Sequence, residues 1–386
     1  MTASCRLGLI AQGGAGWMGG SEYIRNLLHA LAAAGNPEAT LFCFQNAVDD
    51  WRETGVQIAP VQPLWQAPLV DRLGLNNRHF AAALRAHPVD FLYPLTYGNR
   101  ENIGLTFPLR RTLRQTRWAG WIPDFQHRHL PRFFTPAQAA FRDQGIARLL
   151  AEAPIVVMSS GSAADDLRAF YPDYAGRVEV LRFATCPRPE WYEPFTGSEL
   201  ASIPERFFAV CNQFWLHKNH LTVFRALAIL AERGIRPHVL CTGALDDVRD
   251  PAYPAQVRAA LQQNGIADQV QLLGLLPRRA QIELIRRSVA MVQPSLFEGW
   301  STVVEDARVL GRPLLLSDIP VHREQAPPGG RYFPAESAEI LADLMANAWE
   351  NWPAGPDLAA EASARNAAGI RLAEVGRCFL EISAPR

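Results

Sequence analysis

The stretch VQPSLFEGWSTVVEDARVL, residues 292–310, indicates how the second half of the chain folds. It starts at the end of an apolar run that begins at Val289 and is typical of a buried strand. A short loop follows, in which Gly299 permits a tight turn. From Thr302 the apolar spacing becomes helical, and Ser301 or Thr302 can cap that helix. A strand, a glycine-containing loop and a helix together form a unit typical of parallel α/β sheets.

The same alternation of strands and helices extends in both directions. The first series predicts strands at Arg6–Ala11, Leu41–Phe44, Phe91–Leu95, Trp118–Ile122, Ile155–Ser159 and Val178–Phe183, with helices at Glu22–Ala34, Arg78–Ala86, Pro136–Ala151 and Ala163–Phe170. The second series predicts strands at Phe207–Cys211, Val239–Thr242, Val270–Leu273, Val289–Val292 and Pro313–Leu316, with helices at His220–Glu232, Pro254–Gln263, Arg279–Arg287 and Thr302–Leu310. The predicted fold class is α/β, with two Rossmann-like, doubly wound domains facing across a cleft.

A proline-rich stretch without apolar periodicity, residues 186–205, separates the two series. We place the linker at 191–205, between an N-terminal domain at 1–190 and a C-terminal domain at 206–365. Residues 366–386 are Ala-rich and predict a C-terminal helix, which we expect to pack back on the N-terminal domain.

Composition narrows the range of functions. The chain has 386 residues, 38 Lys and Arg against 38 Asp and Glu, and 48% hydrophobic residues. This balance is typical of a globular protein and argues against a nucleic-acid binder that neutralises phosphates. No apolar run approaches a membrane span, and the first residues lack a signal-peptide pattern. Six cysteines lack metal-ligand and C-x-x-C spacing, so we expect reduced thiols, a cytoplasmic protein and no metal site.

Two loops that follow predicted strands carry residues suited to an anionic ligand. Glu298 lies just before a predicted helix, where a carboxylate can accept hydrogen bonds from sugar hydroxyls and free N–H groups favour a phosphate. Glu305 and Asp306 lie one turn further on, where one of them could reach a ribose or both could complement the helix dipole. Lys218 lies near the start of the helix after Phe207–Cys211, where it could bind a diphosphate or be a solvated loop lysine.

At these positions the sequence resembles family-4 glycosyltransferases of the GT-B fold, formerly called glycosyltransferase group 1. The resemblance covers Phe207 to about Glu324 and is carried by Leu272-Leu273-Gly274, Val292–Trp300, Gly311-Arg312-Pro313 and Ser317–Pro320. The N-terminal domain matches more weakly, through its Gly-rich first loop and Trp121–His127. The resemblance implies transfer of a sugar from a nucleotide-sugar with retention at the anomeric carbon, without a cofactor and usually without a metal.

The resemblance also implies roles for individual residues. Glu298 matches the first acid of the family's two-acid motif, which contacts the donor sugar. The second acid belongs eight residues on, at Asp306, with Glu305 just before it, so the ribose ligand stays open between these two. Lys218 matches the phosphate-binding lysine, and Gln213 stands where the family usually has an arginine.

The predicted catalytic residues include one in the N-terminal domain, because His127 stands where family members place a histidine near the reacting sugar. The full catalytic set is Glu298, Lys218 and His127. The nucleotide-sugar site is expected to comprise Gly14, Gln213, Lys218, Gly299, Trp300, Ser301, Thr302, Glu305 and Asp306.

The first loop allows a different interpretation. Gly14-Ala15-Gly16-Trp17-Met18-Gly19 fits the G-x-G-x-x-G pattern of dinucleotide-binding folds. The acid that such folds place at the end of the second strand is absent, since that strand ends Cys43-Phe44-Gln45-Asn46. In the glycosyltransferase interpretation, Gly14 lets the backbone approach the donor diphosphate or the acceptor. The alternatives are a GT-B epimerase or phosphorylase-like enzyme, an NAD-dependent dehydrogenase and a non-catalytic binding protein.

The leading hypothesis is a retaining hexosyltransferase in surface polysaccharide biosynthesis. Its donor is a GDP- or UDP-linked sugar, with mannose from GDP-mannose favoured, and its acceptor is a glycan or a lipid-linked molecule. A basic cluster at Arg110, Arg111, Arg114 and Arg117 could contact anionic lipid or form a solvated helix face. We therefore expect a cytoplasmic protein, with peripheral contact on the inner face of the membrane as an option and no nucleic-acid partner.

Overall fold

The computed structural model describes residues 5–13, 18–36, 38–62, 75–98, 103, 105–245, 247 and 250–385. The chain forms two compact units. The N-terminal unit comprises Met1–Arg128, Thr135–Cys186 and Gly369–Arg386, and the C-terminal unit comprises His129–Phe134 and Pro187–Ala368. The first unit includes the end of the chain.

The N-terminal unit is built on a seven-stranded parallel sheet. Its strands are β1 (Leu7–Ile10), β2 (Ala39–Phe44), β3 (Gln57–Val61), β4 (Phe91–Leu95), β5 (Arg117–Ile122), β6 (Ile155–Met158) and β7 (Arg177–Val180). Its first helices are α1 (Met18–Ala33), α2 (Leu75–Ala86), α3 (Gln126–His129), α4 (Pro136–Leu150) and α5 (Gly161–Phe170). The spatial order is β3-β2-β1-β4-β5-β6-β7. The central strands are continuous apolar runs because helices cover both faces of such a sheet.

The C-terminal unit repeats this plan with six parallel strands. They are β8 (Phe208–Cys211), β9 (Val239–Thr242), β10 (Val270–Leu272), β11 (Met291–Gln293), β12 (Leu314–Ser317) and β13 (Arg331–Phe333). The helices that follow them are α6 (His220–Glu232), α7 (Tyr253–Gln263), α8 (Arg278–Arg287), α9 (Thr302–Val309), α10 (Pro320–Gln325), α11 (Ala338–Asn351) and α12 (Leu358–Ser383). The order β10-β9-β8-β11-β12-β13 reverses direction between β8 and β11. Ligands of doubly wound sheets bind beyond the carboxyl ends of the strands at such a reversal.

Helix α12 completes the N-terminal unit from Gly369 onward. Phe379 is fully buried there, with its ring 6.1 Å from that of Phe91 and 5.2 Å from that of Tyr93. A Cβ at Gly376 would lie 2.0 Å from the carbonyl oxygen of Ala30. The close approach of α12 to α1 therefore requires a glycine at this position.

The predicted fold class, two doubly wound α/β domains, is confirmed by these two sheets. Four short elements were not predicted: β3, α3, β13 and α10. Strand β3 contains Pro60, which lacks an N–H to donate, and the strand lies at the edge of its sheet where that loss is tolerated. Strand β13 has three residues, of which only Phe333 is buried, so it carries too little alternation to be recognised.

Candidate active site

The residues with the strongest predicted roles lie at the carboxyl ends of β8 and β11. These strands are neighbours, with Ala209 paired to Met291. The loop after β8 leads to Lys218, and the loop after β11 leads to Glu298. The reversal point of the C-terminal sheet therefore brings together side chains that are eighty residues apart in the sequence.

The Glu298 carboxylate accepts three hydrogen bonds at one oxygen, Oε1. The donors are Lys218 Nζ at 2.6 Å, Ser295 Oγ at 2.7 Å and Gln293 Nε2 at 2.9 Å. The side chains of Glu298 and Lys218 are 8% and 14% exposed, so this ion pair is largely shielded from water. In the part of the chain that the structure describes, no protein group donates to Oε2 of Glu298. That oxygen is available to a hydroxyl of a ligand.

Lys218 is the only lysine among the 38 basic residues Lys and Arg of the chain. The protein uses arginine at every other basic position. An ammonium is a compact point charge with three donors, whereas a guanidinium is a planar fork, so the two are not interchangeable at a tight anion site. This compositional signal was available in the sequence and supports a specific chemical role for Lys218.

Asn219 joins the two loops and was missed in the sequence. It adopts a left-handed conformation, φ +57°, just before α6. Its side-chain amide donates to the carbonyl oxygen of Pro294 at 3.1 Å and to that of Ala335 at 2.8 Å. A second link runs from Leu296 N to the carbonyl oxygen of His217, at 2.8 Å. The lysine loop and the glutamate loop are thus fixed to each other, which keeps Lys218 beside Glu298. An asparagine before a helix is a usable signal, because asparagine tolerates φ > 0 better than most residues.

Glu305 and Asp306 are both fully buried. The oxygens of Asp306 accept from Arg278 at 2.7 and 2.6 Å, and the Arg278 guanidinium lies 5.1 Å from the centre of the Trp191 ring. Glu305 Oε1 accepts from Gln325 Nε2 at 3.0 Å. A ribose hydroxyl at Asp306 would have to share the carboxylate with Arg278, and the choice between these two acids stays a prediction.

Ser301 precedes α9 as its N-cap residue, but its side chain makes no capping bond, and neither does Thr302. The prediction that one of these hydroxyls caps the helix is wrong, because the Ser301 hydroxyl accepts instead from Gln293 Nε2 at 3.2 Å. The Ser301 backbone N–H donates to Gln325 Oε1 at 3.3 Å. Gly299, Trp300 and Thr302 are half-buried beside Glu298, so this loop keeps a partly open surface.

Gln213 holds the loop after β9. Its Oε1 accepts from the backbone N–H of Ala244 at 2.7 Å. The preceding Gly243 has φ +141°, and a Cβ there would lie 2.1 Å from the carbonyl oxygen of Asn212. Only glycine permits this approach, which packs the loop after β9 against the end of β8. Gln213 has no charge to offer a diphosphate, which makes Lys218 the principal cation predicted from the sequence.

His127 lies in α3 of the N-terminal unit, with its side chain 1% exposed. Its Nε2 lies 2.8 Å from Asp143 Oδ1, which also accepts from Arg128 Nε at 2.9 Å. Burial lowers the pKa of His127, although Asp143 opposes this shift. The imidazole is therefore neutral near pH 7 and donates Nε2–H to the carboxylate. Gly14, predicted to approach the donor or the acceptor, lies outside the described residues.

Among the residues that the structure describes, no three His, Cys, Asp or Glu side chains gather as a metal ion would require. Within the same described ranges, no helix combines the length and the apolar character that crossing a bilayer demands.

The two-unit α/β architecture of the chain is the GT-B fold, which it shares with solved structures. The chain superposes on Anabaena HepE, solved in complex with UDP and glucose, with a TM-score of 0.69 at 14% identity, over 98% of this chain and 99% of that one. Sucrose-phosphate synthase from Thermosynechococcus elongatus gives a TM-score of 0.67 at 18% identity, over 98% and 95%. These likenesses establish the fold alone.

The C-terminal unit also matches a known family model in sequence. Residues 199–366 match the family model described as glycosyl transferases group 1. This match confirms the resemblance to glycosyltransferase group 1 found in the sequence. A relative named as a glycosyltransferase, EpsF of Bacillus subtilis (strain 168), is 29% identical over 133 residues. The match covers 34% of this chain and 33% of EpsF, about a third of that relative's length.

Proposed function

We propose that the protein is a retaining, metal-independent hexosyltransferase that moves a sugar from a nucleotide-sugar to a glycan or lipid-linked acceptor. The observation that carries this proposal is the Lys218–Glu298 pair at the reversal point of the C-terminal sheet, at 2.6 Å. It supplies an ammonium for a diphosphate and a carboxylate oxygen for a sugar hydroxyl side by side. The family match over residues 199–366 supports the same reaction class.

The proposed reaction breaks the bond between the anomeric carbon and the diphosphate oxygen and forms a bond to the acceptor oxygen. Positive charge develops on the sugar ring and negative charge on the leaving diphosphate, which takes up the acceptor proton. Lys218 stabilises the leaving diphosphate, because a preorganised charge needs little rearrangement during the reaction. Glu298 holds the donor sugar by accepting from its hydroxyls, and we assign His127 to the neighbourhood of the reacting sugar.

We favour mannose from GDP-mannose as the donor, within synthesis of a surface polysaccharide, and a UDP-linked hexose is the competing donor. HepE was solved with UDP and glucose, which supports a nucleoside diphosphate as the common element. A thermal-shift screen with GDP-, UDP-, dTDP- and ADP-sugars separates these donors, because a ligand that binds the native state raises its melting temperature.

The test of the proposed function uses Lys218→Ala and Glu298→Ala with the donor that the screen identifies. Both variants should lose transfer by a factor of about a hundred or more, because each removes a charge-assisted contact at the reacting group. Glu199→Ala, a substitution of an exposed glutamate in the same unit, is the matched control and should transfer at the wild-type rate. Full activity in both site variants would overturn the assignment. An NMR spectrum of donor alone, without acceptor, would show conversion if the enzyme were an epimerase instead.

We further propose that the enzyme works in the cytoplasm, in peripheral contact with the inner face of the membrane. Arg110, Arg111 and Arg114 are exposed, but they lie on a turn segment rather than the predicted helix face, and Arg117 begins β5. Each basic residue near an anionic surface contributes about 1 kcal/mol of attraction. Sedimentation with phosphatidylglycerol vesicles, lost in the triple Arg→Ser variant, supports this location, and absence of sedimentation by wild type contradicts it.

A further inference from the structure

Behind Glu298 lies a short chain of side-chain amides. Gln293, the last residue of β11, is fully buried and donates its Nε2 to Glu298 Oε1 at 2.9 Å. Its other end, Oε1, accepts from Asn212 Nδ2 at 2.7 Å. Asn212 directly follows β8 and is also buried. The chain therefore runs from the end of one strand, through the end of its neighbour, to the carboxylate.

The chemistry of the groups fixes the direction of each amide. An ionised carboxylate only accepts hydrogen bonds, so the NH₂ group of Gln293 must face Glu298. The carbonyl of Gln293 then faces Asn212, whose side chain must donate a hydrogen bond from its NH₂ group. Each amide therefore has a single orientation that satisfies the chain, and Asn212 determines the orientation of Gln293.

We propose that Asn212 and Gln293 are positioning residues, an amide relay that holds Glu298 with Oε1 occupied and Oε2 turned to the donor sugar. This inference rests on the proposed function, in which Glu298 contacts that sugar. Asn212 acts only through Gln293, because it donates to Gln293 and not to Glu298. Preorganisation of this kind fixes the carboxylate before the sugar arrives.

If Asn212 and Gln293 form this relay, Asn212→Asp should impair transfer more than Asn212→Ala does. An ionised aspartate at this position cannot donate, so Gln293 must flip to give it the NH₂ group. The flip turns the Gln293 carbonyl toward Glu298 and replaces a donor by an acceptor. Asn212→Ala removes the donor without imposing a flip, so Gln293 can keep its contact with Glu298. A merely structural role predicts the opposite order, because alanine also leaves a cavity.

The experiment compares transfer kinetics of Asn212→Asp, Asn212→Ala and Gln293→Glu. Gln293→Glu places an oxygen directly against Glu298, and Asn351→Asp, on the exposed end of α11, is the control for an added negative charge. We expect kcat to fall roughly tenfold to a hundredfold in Asn212→Asp and Gln293→Glu, the range for a lost hydrogen bond to a charged group. The kcat of Asn212→Ala should fall by roughly fivefold or less, and the kcat of Asn351→Asp should match that of the wild type. Affinity for the nucleoside diphosphate should stay at the wild-type level or rise, because Lys218 is then held less tightly.

A second measurement examines the relay without turnover. Growth on ¹³Cε-labelled lysine gives a single lysine ε-CH₂ signal, that of Lys218, because the chain contains no other lysine. Displacement of its carboxylate partner should shift this signal in Asn212→Asp and Gln293→Glu, whereas Asn212→Ala and Asn351→Asp should superpose on the wild type. If Asn212→Asp does not fold, Gln293→Glu carries both measurements.

The outcomes separate the relay from the proposed function. If Asn212→Asp transfers like wild type, or no more slowly than Asn212→Ala, and its lysine signal does not move, the relay is overturned even while Glu298→Ala is inactive. If Lys218→Ala and Glu298→Ala both keep full activity, the proposed function fails, and the lysine signal still decides whether the relay holds Glu298.

Discussion

At the scale of single residues, the two charges of the proposed function, Lys218 and Glu298, were predicted from sequence patterns and from the family resemblance. Lys218 and Glu298 each follow a predicted strand, and the carboxyl ends of parallel strands lie on one edge of a sheet. Their contact at 2.6 Å is a consequence of this geometry. The side chains that hold them, Asn212, Gln293 and Asn219, were not predicted, because nothing in a single sequence shows which amides face one another across neighbouring strands.

Asp306 and Arg278 provide a test of buried charge. The substitution Asp306→Asn should destabilise the C-terminal unit by about 3–5 kcal/mol, because it leaves the Arg278 guanidinium without its carboxylate in a buried setting. The denaturant midpoint measures this loss.

The matched control is Asp318→Asn, which breaks a similar two-bond pair with Arg323. Both partners of that pair are well exposed, with side chains 41% and 54% accessible. Surface pairs add little because water and salt screen them, so the midpoint should barely move. Equal losses in the two variants would show that the Arg278–Asp306 pair is not buried.

His220 gives the protein a predictable response to acid. The imidazole is fully buried, and its ring stacks on that of Phe214 with the ring centres 4.0 Å apart. Among the residues that the structure describes, neither ring nitrogen has a hydrogen-bond partner. Burial, and then the charge of Lys218, lowers the pKa of His220 to about 3. Below about pH 6.5 the imidazole therefore binds a proton in the unfolded state but stays neutral in the folded state. The free energy of unfolding falls as the pH drops from about 6.5 toward 3.

Substitution of His220 by methionine, which fills a similar volume, should be nearly neutral at pH 7.5. Below pH 6.5 the free energy of unfolding of the variant should rise relative to that of the wild type. The difference should grow by about 1.4 kcal/mol per pH unit until the pH nears 3. Urea unfolding at pH 7.5, 6 and 5 measures the difference. Parallel pH profiles for the two proteins would show that His220 is not the group responsible.

At the scale of elements, strands and helices with a strong apolar pattern were predicted well. Strands β4 and β9 and helix α6 have the predicted ends, because each is a buried run or an amphipathic segment of ordinary length. The short edge elements β3 and β13 have few buried residues, so their existence depends on pairing with a neighbouring strand. Pairing is a tertiary property that a sequence pattern does not record.

The loop after β9 depends on one glycine. Gly243→Ala should destabilise the protein strongly and reduce transfer, because the new Cβ would clash with the carbonyl of Asn212, 2.1 Å away. Gly265→Ala is the matched control, with φ +62° and nothing within 4 Å of the added Cβ. It should cost only about 1–2 kcal/mol of left-handed backbone strain and leave transfer unchanged. Thermal unfolding measures the stability of the two variants, and initial rates measure their transfer activity. Equal losses in Gly243→Ala and Gly265→Ala would contradict the role assigned to Gly243.

At the scale of the whole molecule, the sequence predicted two α/β domains because the alternation stops once, in a proline-rich stretch, and then resumes. The sequence analysis expected residues 366–386 to pack back on the N-terminal domain, and Gly369–Arg386 belong to the N-terminal unit. The assignment of His129–Phe134 to the C-terminal unit was not predicted. It depends on contacts between distant segments, which leave no local pattern in the chain.

The packing of the end of the chain on the N-terminal unit can be tested with two substitutions in α12. Phe379→Ala should destabilise the N-terminal unit by about 3–5 kcal/mol, since it removes a fully buried ring packed on Phe91 and Tyr93. Ile370→Ala, on the same helix but 63% exposed, should change stability by less than about 0.5 kcal/mol. Calorimetry resolves the loss, and equal melting temperatures for the two variants would contradict the packing of α12.

The central claim is that the ammonium of Lys218, the one lysine of the chain, binds the diphosphate of a nucleotide-sugar. The most direct measurement is a titration of protein labelled with ¹³C at the lysine ε-carbon, using UDP and GDP and following the one lysine signal by NMR. The account predicts a saturable shift with at least one of these nucleotides, at the concentrations where calorimetry records binding. A lysine signal that stays in place while calorimetry shows the nucleotide to be bound would contradict it.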